Sequence, residues 1–178
     1  MSVEKFRLKD KHTWKAKPGN SICVLDRGLV RFEFPSHWKV ETDEGAVHLH
    51  DRERSVESCD LGASIFRVPI EAVRVMDLDE MLLGSLGEDR EAYEQSEIHH
   101  IARPGLEISW VEQKYMEKEY KRDARFRVAL ARGECLCLIS MNYWANRAAG
   151  LERVWEDVLR TLVMGVLVTD PTAGPVVQ

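Results

Sequence analysis

The sequence predicts an α+β fold: a single domain in which an antiparallel β-sheet is covered by helices on both faces, an α/β/α sandwich. Three observations predict it. From residue 96 onward the chain alternates long strand-like runs with tight turns. The last of these runs places Leu136, Leu138 and Ser140 on one face and Cys135, Cys137, Ile139 and Met141 on the other. A strand that is apolar on both sides is a central one, covered above and below. Residues 147–164 then carry Leu151, Val154, Trp155, Val158, Leu159 and Leu162 at helical spacing, with Glu152, Arg153, Glu156, Asp157 and Arg160 on the opposite side. That pattern is an amphipathic helix lying on a core, with Trp155 packed inside it.

The remaining elements follow in order. Residues 1–20 are polar and form an irregular leader with Trp14 as its one anchor. Residues 22–25 and 29–34 flank Asp26-Arg27-Gly28, a hairpin whose glycine can take a positive φ. Pro35 ends the pairing, because it has no N–H to donate. Residues 41–45 read as a turn, 46–50 as a short strand, 51–60 as a polar loop, and 61–68 as a strand stopped by Pro69. Asp77 caps a helix carrying Leu78, Met81, Leu82 and Leu86, with Glu80 placed to reach back. Residues 88–95 read as a second short helix or an extension of the first. Pro104-Gly105 fits the middle of a type II turn. Strands are expected at 97–102, 106–116, 122–131 and 134–143. Gly165 suits a helix stop. The domain is expected to span residues 21–166, with 167–178 as a flexible tail.

The stretch Phe32-Glu33-Phe34-Pro35-Ser36-His37-Trp38 is a strand broken at a proline and resumed at a tryptophan. With the closing Val158-Leu159-Arg160-Thr161-Leu162, it resembles the PsbP-like fold family. That family includes the photosystem II extrinsic subunit, a Ran-binding factor and small bacterial proteins. The resemblance runs over residues 20–165 by element order. It implies the α/β/α sandwich and, by likeness to the cytosolic bacterial members, an adaptor or chaperone-like role. It implies no shared active site, since its landmark residues are core and turn residues.

Composition narrows the function classes. A net charge of -5 argues against broad phosphate-backbone binding, so no nucleic-acid partner is expected. No apolar run reaches the about 18 residues of a membrane span, and none is expected to insert. Charges interrupt the first ten residues throughout, so a cytoplasmic location is expected. Cys23, Cys59, Cys135 and Cys137 then read as reduced, buried thiols.

The candidate chemistry is sparse. His48 and His50 share one face of a strand, and His99 and His100 lie on opposite faces of another. With Asp51 or Glu53 nearby, a small metal-dependent enzyme is one reading. The spacing of a zinc site is missing, and no metal or cofactor is expected. Ser64 and Ser140 sit on strands without a neighbouring base, and no phosphate-cradling glycine loop occurs. The hairpin around residues 114–127 interleaves charge with tyrosine. Tyr115, Tyr120, Arg125 and Arg127 are the expected contacts for a protein partner, because Tyr and Arg are enriched at interface hot spots. On strand alternation, Ala124, Phe126 and Val128 should face the covered layer, which leaves Arg125 and Arg127 toward solvent or a partner. The sequence therefore reads as a non-enzymatic interaction protein. A metal-dependent enzyme and a small-molecule binding protein are the alternatives.

Overall fold

The computed structural model describes residue 4 and residues 7–43, 45–87 and 91–175. A hairpin of β1 (Asn20–Leu25) and β2 (Val30–Pro35) begins the domain, with Leu25 opposite Val30. Gly28 turns it at φ +94°, and a Cβ there would stand 2.4 Å from the Val166 carbonyl oxygen. Next come β3 (Lys39–Asp43), β4 (Ala46–His50) and β5 (Asp60–Phe66). Two short helices follow, α1 (Ile70–Val75) and α2 (Leu78–Gly84). As expected, Asp77 caps α2, accepting from the backbone N–H groups of Asp79 (3.0 Å) and Glu80 (3.1 Å).

The meander is β6 (Ala92–Gln95), β7 (His99–Arg103), β8 (Leu106–Glu117), β9 (Arg122–Arg132) and β10 (Leu136–Trp144). Then α3 (Ala148–Thr161) and the two-residue β11 (Val163–Met164) close the fold. Eight strands form one antiparallel sheet in the order β3-β4-β5-β10-β9-β8-β6, with β7 also paired to β8; β1, β2 and β11 form a second sheet.

The expectation of helices on both faces is corrected. Strand accounts for 44% of the structure and helix for 19%, with three short helices. One face of the large sheet buries Leu49, Leu61, Ile108, Ala129, Cys137, Ile139 and Met141 against α3 and the small sheet together. The small sheet supplies Val30, Phe32 and Phe34 to that core. Trp155 is fully buried there, as its place in the helical stripe predicts. On the other face, Val73 of α1 and Leu78 and Leu82 of α2 join an apolar cluster with Val111, Val128, Leu130 and Leu136, among others. The rest of that face carries His48, Asp60, Gly62, Ser140 and Asn142, all partly exposed. Polar side chains there give a helix nothing to pack on.

Two boundaries also move. Residues 92–95, expected as helix, are the edge strand β6; residues 88–90 lie outside the described residues. The closing helix stops at Thr161, because Val163 and Met164 pair with Arg31 and Val30 of β2. Residues 167–175, expected as part of a tail, are tied to the leader. Lys9 N–H donates to Thr172 O (3.0 Å), Thr13 N–H to Ala173 O (2.8 Å) and Trp14 Nε1 to Pro171 O (2.8 Å). Among the described residues, no helix is long and apolar enough to cross a membrane.

Candidate functional site

The open half of the large sheet forms a candidate site. Register places His50 beside Asp60 on β5, and Asp60 beside Asn142 on β10. Directly paired residues project to the same side, so these three form a row. His48, Gly62 and Ser140 form the row next to it. Two segments wall the rows: the loop 51–59 and the β8–β9 turn. Between them lies a cavity of about 330 Å³ lined by His50, Asp60, Tyr115, Tyr120, Asn142 and Trp144, among others.

The loop is fastened to the sheet at several points. Trp144 Nε1 donates to Val56 O at 2.6 Å, and Arg147 Nη1 to Glu57 O at 2.8 Å. Arg147 also pairs with Asp51, whose carboxylate accepts from the Cys59 N–H at 2.7 Å. Burial alone would raise the Asp51 pKa, but these hydrogen bonds and the charges of Arg147 and Arg52 bring it below the usual carboxylate value. Arg122 pairs with Glu57 and lies 4.2 Å over the Trp144 ring.

His50 is the unusual member of the site. It is 2% exposed, and neither ring nitrogen has a hydrogen-bond partner among the described residues. Its nearest charges are Asp60 Oδ1, 3.8 Å from Nδ1, and Glu41 Oε2, 3.8 Å from Nε2. Both are beyond hydrogen-bond reach. His48 stacks on it with ring centroids 6.3 Å apart, and places Nδ1 3.1 Å from Asp60 Oδ1. A carboxylate only accepts, so the His48 N–H donates. Tyr115 Oη donates to Asn142 Oδ1 at 2.9 Å.

Ser140 Oγ and His48 face each other across Gly62, and no hydrogen bond joins them among the described residues. A nucleophile–base pair needs that bond. On the far side of the same face, Ser109 Oγ donates to Asp79 Oδ1 at 2.6 Å, and His100 Nε2 lies 3.0 Å from Asp79 Oδ2. The carboxylate stands between serine and histidine there, so the imidazole cannot take the serine proton.

The sequence model of the Alr1449 family matches residues 21–168. This chain belongs to the Alr1449 family. The uncharacterized protein alr1449 of Nostoc sp. (strain PCC 7120) is 32% identical to it over 174 residues, covering 96% of this chain and 91% of the Nostoc protein. Solved structures share the fold at low identity. A Bacteroides thetaiotaomicron protein gives a TM-score of 0.59 at 13% identity over 83% of this chain and 49% of its own, so the present chain spans about half of that protein. LpqN, involved in cell envelope biogenesis of Mycobacterium tuberculosis, gives 0.55 at 9% identity, over 83% of this chain and 85% of its own. Cyanobacterial PsbP from Synechocystis sp. PCC 6803 gives 0.50 at 14% identity, over 84% and 95%. The PsbP likeness expected from Phe32, Pro35 and Trp38 thus has modest support, and it concerns the fold alone.

In this Alr1449-family chain the four residues expected to meet a partner do not share a surface. Tyr115 is 6% exposed and belongs to the cavity; Tyr120, 42% exposed, stands at its rim with its ring edge-on to Trp144, centroids 5.8 Å apart. Arg125 and Arg127 lie on the opposite face, around Glu112. Arg125 Nη1 donates to Glu112 Oε1 at 3.0 Å and Arg127 Nε to Glu112 Oε2 at 2.6 Å. The expected solvent exposure of these arginines is corrected for Arg127, which is 8% exposed. Glu152 of α3 closes over it at 3.3 Å, and its guanidinium lies 5.6 Å from the Trp110 ring centroid.

Nor are the two histidine pairs brought together. Between β4 and β7 stand β5, β10, β9 and β8, a separation of roughly 24 Å at ordinary strand spacing. His99 stacks on Trp110, centroids 4.2 Å apart, and His100 turns to Asp79. Asp51, a possible fourth ligand, is engaged by Arg147. Among the described residues no group of three or more His, Cys, Asp or Glu is placed to hold a metal ion. The sequence marks His50 as sharing a strand face with His48, but it marks neither the burial of His50 nor the Asp60–Asn142 row. Their signal, polar residues at alternating positions on three strands, becomes readable only once the pairing order is known.

Proposed function

We propose that this protein is a non-enzymatic binding module whose site is the cavity over His50. The observation that carries the reading is a buried imidazole with two unpartnered nitrogens in the lining of an open polar cavity. Unsatisfied buried polar groups cost stability, on the order of 1–3 kcal/mol each, and persist where a ligand or function compensates them. The volume sits at the small end of the range for ligand pockets, about 300–1,000 Å³.

Native mass spectrometry of the protein incubated with a small-molecule extract tests the reading. A bound mass is expected on the wild-type chain and its loss in His50→Leu. Equal retention by the variant would move the site elsewhere.

A second reading, a protein partner meeting the β8–β9 hairpin and the neighbouring edge strand β6 as an adaptor of the cytoplasm would, has its own support. Tyr93, Met116 and Tyr120 are 59%, 46% and 42% exposed. Tyr93 Oη donates to Asp123 Oδ1 at 3.1 Å, and Asp123 is opposite Met116 in the β8–β9 register. Changing Tyr93 and Tyr120 to alanine should weaken partner capture at least about tenfold if they include a hot spot.

A further inference from the structure

The cavity over His50 has a charge as well as a shape. Its lining includes three carboxylates, Asp60, Glu117 and Glu119, and one guanidinium, Arg54. Arg54 is held 3.6 Å from Glu41, outside the lining. The neighbouring arginines are committed to the loop, Arg122 to Glu57 and Arg147 to Asp51. The lining therefore keeps a surplus of negative charge beside an aromatic wall. That wall already accepts one cation, since the Arg122 guanidinium stacks on Trp144.

His50 adds the chemistry of its two free nitrogens. A neutral imidazole offers one acceptor and one donor. Asn142 accepts from Tyr115 through Oδ1, while Asp60 takes the His48 N–H and has further acceptor sites. Acceptors thus outnumber free donors in the row, which suits a group that mainly donates. A carboxylate or phosphate would meet Asp60 and two glutamates.

We infer that the cavity takes an organic ammonium or guanidinium group, held by the Asp60 carboxylate and a His50 ring nitrogen against the Tyr120 and Trp144 wall. This rests on the binding role proposed above for the same cavity. The cation belongs either to a free amine or to a lysine or arginine side chain of a peptide.

The test is a titration of the full chain at low ionic strength, followed by NMR on the His50 ring and the Trp144 indole. The probes are propylammonium, methylguanidinium, 1-propanol, propionate and a doubly blocked lysine tripeptide. The expected result is that the cations shift both resonances, that added salt weakens them, and that Asp60→Asn weakens them about tenfold, as loss of a charge-assisted bond should. An unchanged melting temperature and indole shift in the unliganded variant establish that it folds. If the tripeptide binds more tightly than propylammonium, the cation is a peptide side chain; the reverse order assigns it to a free amine. If propanol or propionate shifts the resonances as strongly as the cations, the cation is overturned and the cavity stands. If no probe moves His50, both inferences fall.

Discussion

Trp144 Nε1 donates a hydrogen bond of 2.6 Å to the carbonyl oxygen of Val56. The bond ties the end of the central strand β10 to the loop that walls the cavity. Trp144→Phe keeps most of the buried ring and removes the donor. Stability should fall by about 0.5–1.5 kcal/mol, the net worth of one hydrogen bond. Amide exchange should quicken at residues 54–58 and stay unchanged in β9. Arg147 and Asp51 still hold the rest of the loop, so wholesale loss of the domain on this change would mean the loop is integral to the core rather than tied onto it.

Arg127→Ala tests the other face. Arg127 is buried beside Glu112 with the partly exposed Glu152 over it, and truncating it leaves Glu112 to Arg125 and the Tyr143 hydroxyl. Glu112 keeps a partner, so the loss should be about 1.5–3 kcal/mol, the worth of hydrogen bonds to a charged group, and should fall short of the about 3–5 kcal/mol that a buried charge left unpaired costs. Denaturant unfolding reads this directly. A loss under about 1 kcal/mol, typical of exposed pairs, would place Arg127 in water.

The contrast between these residues shows what was legible in the sequence. Local patterns found the β1–β2 hairpin, the Asp77 cap, the meander and the Trp155 stripe, because each depends on neighbours in the chain. They also found that β10 is apolar on both faces. They could not say what covers it. The layer over Cys137 and Ile139 is partly the small sheet, which exists because β11 pairs with β2 across more than a hundred residues of sequence. Helix propensity alone would carry α3 through Met164, and that pairing ends it sooner. Arg127 looked exposed because alternation predicts which face a side chain takes, not whether another element lies over it. Nor does alternation show that His50 is covered, and the cavity around it is assembled from five strands, a loop and a turn that no sequence window spans.

The thiols should be inert in the folded protein. Cys23, Cys59, Cys135 and Cys137 are all buried. Burial pushes Cys23 up to about 12 and Cys135 up to about 11, and raises Cys59 and Cys137 further. The thiolate is the reactive form, so almost none is present near pH 8. A thiol reagent should label none of the four in the native protein within minutes and all four after denaturation. Fast labelling of Cys59 in native conditions would show that the loop 51–59 opens often.

Asp51 should make the protein sensitive to acid. Its folded pKa lies below the ordinary value, because the Arg147 and Cys59 hydrogen bonds and the nearby guanidinium charges outweigh the desolvation that would raise it. A carboxyl depressed in the folded state binds its proton more readily when unfolded. Its contribution to stability is complete above the unfolded value of about 4, and is lost as the pH falls through the lower folded value. Asp51→Asn keeps an oxygen to accept from Cys59 and Arg147 but has no proton to gain. At about pH 6 the wild type should be the more stable of the two, and the difference should shrink as the pH is lowered from about 4 toward 2. Other carboxyls titrate in the same range, so the comparison is made between the two proteins at each pH. A difference that holds constant from pH 6 to pH 2 would assign the effect of the substitution to packing and remove Asp51 from the acid response.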